Sequence, residues 1–412
     1  MGIHTLAASH ATGKGGPDAV FAVSQKANEA IARLGKEKVV NASIGAIFDD
    51  EGRFAALDTV DRHYRRLSKD ELMNYAPIAG LPQYLQAAID FTFQGNQPAN
   101  TFARAVATPG GTGAIHHVVY NYTEQGQKIL IPDWYWGPYQ TIANENLRDV
   151  DAYRMFNEKN QFTLDPLQKK TQELLQVQDN LVTIFNTPAH NPTGYSMTEG
   201  DWQEAIRFYK ECARDQSKKI ILLLDMAYLD YAGPAQETRK FLKLFTGLPD
   251  NILITIAFSM SKAFLIYGMR SGALIGVSPS QEIVEEFAQV NAYSNRATWS
   301  NGSRGAQRLL ADIVADPQLK RQTDEERDKF YSLIKNRADI FVREAKEAGL
   351  VMLPYHAGFF ITIPVGDPKA AAEKLTGSNI FVVPLKKGIR LAVCALPTYQ
   401  IPGLAKRIKE AL

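Results

Sequence analysis

Between residues 105 and 277, short and nearly continuous apolar runs alternate with longer segments whose apolar positions recur every three or four residues. The short runs are "ARAVATP", "KILIPD", "LVTIFN", "KIILLLD", "NILITIAFS" and "SGALIGV". Their β-branched, uninterrupted character is what strands covered on both faces require. Segment 111–124 sets Ile115, Val118, Val119 and Tyr122 at helical spacing, and 199–216 is amphipathic in the same sense. Such a rhythm predicts helical crossovers joining a mostly parallel central sheet, an α/β architecture. After about residue 300 it changes to charged helices ("DEERDKFYSLIKNRADIFVREAKEAG"), then short strands near "GFFITIPV" and "IRLAVCAL", which predicts a smaller α+β domain. An amphipathic helix over 18–35 is expected to pack with that domain. The expected division is an N-terminal segment 1–50 packing with the small domain, a large domain 51–300 and a small domain 301–412.

Charge and composition narrow the partner. Lys plus Arg number 46 against 44 Asp plus Glu, so a net charge of +2 gives no broad reason to bind nucleic acid or an anionic membrane. With 45% hydrophobic and 22% charged residues the chain is ordinary globular material, and a small-molecule partner is expected. The two cysteines, Cys212 and Cys394, stand far apart and in no CxxC pattern. That spacing fits two buried thiols in a reducing compartment and no cysteine-built metal site. No cationic start leads into an apolar run, and no stretch of about 18 apolar residues occurs, so a cytoplasmic location is the expectation.

In open α/β sheets ligands bind beyond the carboxyl ends of strands, which directs attention to the residues just after each run. "GGTGA" comes after the first and opens a helix, offering free N–H groups and the positive end of a helix dipole to a phosphate; the alternative is a plain strand-to-helix turn. It fails the dinucleotide GxGxxG pattern, because His116 stands at the third glycine position, and it lacks a P-loop lysine. A monophosphate suits it better. The adjacent His116 and His117 point about 100° apart on a helix, so packing is favoured over metal binding. Asp225 ends a strand of apolar residues, where a carboxylate needs a cationic partner: a salt bridge, a helix N-terminus or a protonated pyridine nitrogen. Lys262, between Ser261 and the apolar "AFLIYG", is set for a desolvated, nucleophilic amine, whereas a lone lysine is ordinarily a surface charge. Arg270, always charged and fork-shaped, suits a phosphate, with Ser259 and Ser261 as further donors.

Together "NTPAHNPTG", "DMAY", "SMSKAFLIYGMRSG" and "GIRLAVCAL" resemble the class I and II aminotransferases, pyridoxal-phosphate enzymes of fold type I. "NYAPIAGLPQY" and "NASIGAIFDDEG" are similar to the aspartate and aromatic branch. The resemblance implies a homodimer with pyridoxal 5'-phosphate bound covalently by Lys262. It further implies Asp225 at the pyridinium nitrogen, Asn191 and Tyr228 at the phenolic oxygen, and Trp136 stacked on the ring. Gly111, Thr112, Ser259, Ser261 and Arg270 would hold the phosphate, with Tyr75 reaching in from the other subunit. Arg390 would grip the substrate α-carboxylate, helped by Asn191 and the backbone near Gly45.

Two departures from that pattern stand out. Counting back three from Tyr293-Ser294-Asn295, where aspartate-type enzymes carry an Arg, gives Val290, with Arg296 as the nearest substitute. A His that supports the ring-binding Asp is replaced by Tyr139, so its support either passes to a hydroxyl or is lost. The expected activity is therefore transfer of the amino group of an aromatic or large neutral L-amino acid to a 2-oxo acid such as 2-oxoglutarate, in a ping-pong cycle. The alternatives are aspartate aminotransferase, a lyase or decarboxylase of the same fold, and a non-catalytic sensor module. The last is disfavoured because the chain begins almost at the family's N-terminal segment, leaving no room for a DNA-binding domain.

Overall fold

The computed structural model describes residues 6–16 and 18–412. Seven strands form the main sheet: β1 (Phe102–Thr108), β2 (Lys128–Pro132), β3 (Asp149–Tyr153), β4 (Asn180–Asn186), β5 (Lys219–Asp225), β6 (Ile252–Ser259) and β7 (Gly272–Ser278). Their spatial order is β1-β7-β6-β5-β4-β2-β3. Strand β7 runs antiparallel to both of its neighbours, and the remaining adjacent pairs are parallel. The apolar runs mark all of these strands except β3. That one, "DVDAY", is a five-residue edge strand whose positions are mostly solvent-accessible, so it lacks the continuous apolar run of a covered strand.

The reversal of β7 positions the site. Residues after a parallel strand lie at the carboxyl edge of the sheet, and so do residues before an antiparallel one. Gly272 pairs with Thr108 of β1 on one side and with Ser259 of β6 on the other. Asp225 pairs with Ala257 and with Asn186. Thr108, Ser259, Asp225, Asn186 and the segment leading into Gly272 therefore share one edge. Gly272 itself is forced: a Cβ there would lie 2.5 Å from the Phe258 carbonyl oxygen.

The helices around the sheets include α1 (Ala19–Leu34), α2 (Gly110–Asn121), α3 (Pro138–Glu145), α4 (Gln281–Thr298) and α5 (Pro317–Glu347). One apolar cluster packs α2 and α3 on a face of the sheet through Val118, Tyr139, Ile131, Ile184 and Leu223. Each such buried aliphatic side chain contributes about 1.5–3 kcal/mol relative to exposure. A second cluster covers the opposite face and continues through Phe359 and Phe360 into a smaller antiparallel sheet of order β9-β10-β8, formed by β8 (Phe360–Pro364), β9 (Val383–Pro384) and β10 (Gly388–Ala392).

Helix α1 starts at Asp18, whose carboxylate accepts from the Val20 and Phe21 N–H groups, and packs Ala27 and Ala30 against Val39 and Phe381. Helix α5, 31 residues long, carries two buried guanidiniums. Arg327 donates to the Ala263 carbonyl at 2.6 Å, and Arg337 donates to the carbonyls of Phe48 and Cys394 and pairs with Asp50 at 2.8 Å. Such pairing is what makes the burial tolerable, with Arg327 Nη2 alone of these nitrogens left without a partner among the described residues. Of the two cysteines, both free, Cys394 is buried as expected but Cys212 is only partly so, lying near the end of an amphipathic helix with solvent on one side. Among the described residues no helix is long and apolar enough to cross a membrane.

Candidate active site

At the carboxyl edge of the sheet lies a cavity of about 400 Å³. One end of it is built by the start of α2. That helix opens at Gly110 with no side-chain cap, leaving its first N–H groups and the positive end of its dipole uncovered. Gly110 has φ +72°, and a Cβ there would lie 2.6 Å from Nη2 of Arg270. Only glycine admits the guanidinium to the helix start. Arg270, itself at φ +49°, is held by a bond from Nη1 to Ser261 Oγ at 3.0 Å and one to the Tyr267 carbonyl at 3.0 Å. Gly111, Thr112, Ser259 and Ser261 line the same end. The sequence-marked phosphate group is thus assembled in one place.

Lys262 projects into the middle of the cavity from a short helix after β6, its Nζ donating to the Gly45 carbonyl at 2.9 Å and lying 4.3 Å from the centre of the Tyr267 ring. Burial pulls its pKa down to about 8; the nearby Cys394 opposes this, and the guanidiniums of Arg390 and Arg270 reinforce it. A neutral amine is therefore available near neutrality.

Asp225 is buried, and no Lys, Arg or His among the described residues forms an ion pair with it. Its Oδ2 accepts from the Tyr139 hydroxyl at 2.5 Å, and its Oδ1 from the Ala227 N–H at 3.3 Å. Burial pushes its pKa up, against those two bonds. Neither a salt bridge nor a helix N-cap accounts for this carboxylate, which has no cationic partner among the described residues. Asn191 Nδ2 donates to the Tyr228 hydroxyl at 3.3 Å, placing both polar groups beside Asp225 in the cavity, with Trp136 forming a wall.

Across from this group stands Arg390 on β10, in register with Thr362 of β8. Its Nη1 donates to Asn191 Oδ1 at 3.2 Å and its Nη2 to the Ser43 carbonyl at 3.0 Å, with its guanidinium 4.2 Å from the Phe360 ring centre. Its Nε is buried with no partner among the described residues. Thr362 in turn donates to the Pro192 carbonyl at 2.7 Å, tying the small sheet to the loop that carries Asn191.

Other residues fall elsewhere. Tyr75 is 82% exposed and does not line the cavity of its own chain. His117 is buried, bonded to Asn295 at 2.9 Å and stacked on Trp299 at 4.5 Å, and no metal-holding cluster occurs among the described residues. The cavity also holds residues that motif reasoning passed over. Asn186 fixes the loop by accepting from the Asn191 N–H at 2.7 Å; Tyr267 lies under Lys262; Phe21 enters from α1. Asn186 was detectable as the polar end of an apolar strand, like Asp225, whereas Phe21 carries no signal short of the fold.

A family model for aminotransferase class I and II matches residues 37–408. The chain belongs to the class I and II aminotransferases. An aminotransferase structure from Anaerococcus prevotii superposes with a TM-score of 0.96, at 38% identity and covering 98% of this chain and 99% of the other. The aspartate aminotransferase of Escherichia coli (strain K12) is 27% identical over 317 residues, 75% of this chain and 77% of its own. An aromatic amino acid aminotransferase from Burkholderia cenocepacia J2315 shares the fold, with a TM-score of 0.80 at 22% identity, covering 97% of this chain and 98% of its own. Membership selects amino-group transfer over the lyase, decarboxylase and sensor readings.

Aminotransferases of this class depend on pyridoxal phosphate, and the residues present fit that group. An uncapped helix start that a Cβ would obstruct suits its phosphate, an unpaired buried carboxylate suits its ring nitrogen, and a depressed lysine suits its aldehyde. When bound, the cofactor supplies an electron sink for the pair of electrons released at the substrate Cα.

Proposed function

We propose that this aminotransferase acts on aromatic or large neutral L-amino acids, passing the amino group to a 2-oxo acid such as 2-oxoglutarate in a ping-pong cycle. In this reading Lys262 would hold the cofactor and, as the amine at the centre of the cavity, would take up and return the substrate Cα proton as base and then acid. Asp225 would balance the ring charge, Asn191 and Tyr228 would hold the phenolic oxygen, and Trp136 would pack against the ring. Gly111, Thr112, Ser259, Ser261 and Arg270 hold the phosphate, and Arg390 takes the α-carboxylate in a two-bond fork with Asn191 and the Gly45 backbone beside it. Residues 51–300 serve as the cofactor-binding domain and 301–412, with 1–50, as the smaller one.

The observation that carries the substrate class is a second chamber of about 290 Å³ that shares Trp136 and Asn191 with the first and reaches Arg390. Trp134, Tyr135, Val20 and Leu385 supply much of its wall. Asp18 and Asp133 line it together with Lys386 and Arg390, and Phe21, 67% exposed, stands at the mouth of the first chamber. Large apolar side chains are what such walls accept.

One observation favours aspartate as donor instead. The aromatic-Ser-Asn pattern occurs twice, and three residues before its second copy, Trp299-Ser300-Asn301, stands Arg296 rather than Val290. Arg296 bonds Ser300 Oγ at 2.8 Å on an exposed surface, free to serve a neighbouring subunit. Homodimerisation is supported by the exposed Met73, Tyr75, Ile78 and Tyr293 on the loop and helix beside it, where Asn295 donates to the Ile78 carbonyl at 2.9 Å. The free cysteines support a reducing, cytoplasmic setting. A panel of amino donors assayed against 2-oxoglutarate tests the reading: phenylalanine, tyrosine or a large aliphatic donor should give the highest kcat/KM. If aspartate exceeds them, and Arg296→Ala removes that advantage alone, the dicarboxylate reading replaces it.

A further inference from the structure

Tyr139 stands where a histidine would be expected, and its environment is specific. It is the second residue of α3, placed by Pro138 at the helix start, with its N–H donating to the Trp136 carbonyl at 3.0 Å. Its ring meets Trp136 edge-on, with centroids 5.5 Å apart and planes at 86°. The residue is fully buried, and its hydroxyl donates to Asp225 Oδ2 at 2.5 Å. No other side chain among the described residues bonds that carboxylate, since Asn186 Nδ2 goes to the Asp225 main-chain carbonyl at 2.9 Å.

We propose that Tyr139 is a positioning residue that keeps Asp225 ionised and aimed at the cofactor ring while adding no charge of its own. A phenol donating to a carboxylate stabilises the anion as a charge-assisted bond does, and lowers the carboxylate's proton affinity. An imidazole in the same place would itself gain a proton in mildly acid solution. Burial pushes the Tyr139 hydroxyl well above the usual phenol range, so it stays a donor at all working pH. The other groups facing Asp225 are Tyr228 on the following loop, and Lys262, Tyr267 and Arg270 across the cavity. His190, buried next to Asn191, is turned to Thr193 at 2.8 Å. None of these bonds the Asp225 carboxylate. Without the phenol, Asp225 becomes a stronger base and draws the ring proton toward itself. The ring then loses part of the positive charge that repels the proton whose loss the visible absorbance reports.

The inference rests on the assignment of Asp225 to the ring nitrogen, and the experiment separates the two. The visible band of the holoenzyme is titrated with pH in wild type, Tyr139→Phe, Tyr139→His, Asp225→Asn and Asp225→Asn/Tyr139→Phe, with thermal melts as a control for folding. Tyr139→Phe should raise the midpoint by about one unit, a tenfold change in proton affinity. Tyr139→His should bring it back and add a second inflection on the acid side. In the Asp225→Asn background the phenylalanine change should move nothing further. A Tyr139→Phe midpoint equal to wild type, with only a lower melting temperature, overturns the proposal and leaves the residue a packing role. If Asp225→Asn itself leaves the midpoint unmoved, the Asp225 assignment fails instead. Should Tyr139→Phe not accumulate, Tyr139→His decides alone: the acid-side inflection appears if residue 139 bonds Asp225 and is missing otherwise.

Discussion

Replacing Gly110 with alanine tests the phosphate cradle at its tightest point. The substitution acts twice. It puts a Cβ on a residue at φ +72°, which costs about 1–2 kcal/mol of folding stability. It also sets that Cβ 2.6 Å from Arg270 Nη2 and 3.1 Å from its Cζ, too close for the guanidinium to stay. Arg270 must swing away, and one charge-assisted bond to the cofactor phosphate is lost, about 1.5–3 kcal/mol. Affinity for pyridoxal phosphate should then fall about 10- to 150-fold. Gly52 supplies the matched control, because it has the same φ of +72° with nothing within 4 Å of the point an alanine Cβ would occupy. Gly52→Ala should lose stability alone. Both variants are melted as apoproteins and titrated with pyridoxal phosphate while protein fluorescence is followed. Equal cofactor affinity in the two would refute the cradle and send the phosphate elsewhere.

Three further outcomes are expected. Lys262→Ala should abolish the yellow colour and the borohydride-stable attachment of the cofactor, read by absorbance and by peptide mass, while the melting curve stays cooperative. Arg390→Lys keeps the charge but loses the fork to Asn191 and Ser43; kcat/KM should fall about 10- to 100-fold for every amino and oxo acid alike, and a defect confined to one substrate would assign it a different role. For pH, the folded Lys262 pKa of about 8 lies below its ordinary 10.5, so between those values the unfolded chain binds more protons than the folded one. Stability of the apoprotein attributable to Lys262 should rise with pH across that window and be lowest below about 8, seen as the difference in melting temperature between wild type and Lys262→Met.

Much of this molecule was legible in its order of residues because its chemistry lies at the ends of its strands. An apolar run that ends in Asp225, or that leads to Ser259 and Lys262, announces a buried polar edge, since burial without purpose is costly. Family motifs then named the partners. Two things were not legible locally. Strand β3 is exposed on an edge, so no apolar run betrays it. The twofold occurrence of the aromatic-Ser-Asn pattern gives two choices of register, Val290 or Arg296, and periodicity does not distinguish them, because both residues lie on the same helix α4.

The linear order of residues marks which side chains are chemically extraordinary: a lysine, an aspartate and two arginines placed among apolar neighbours that would expel them unless something held them. How they meet is settled in three dimensions alone. The antiparallel turn of β7 brings Arg270 to the edge that Asp225 and Ser259 reach from the other direction. The packing of α1 and of the small sheet carries Phe21 and Arg390 across from opposite ends of the chain. A hydroxyl 86 positions away from Asp225 in sequence becomes its nearest donor because α3 packs on the face of the sheet beneath it. Such encounters depend on spatial register and close packing, which a one-dimensional pattern does not encode.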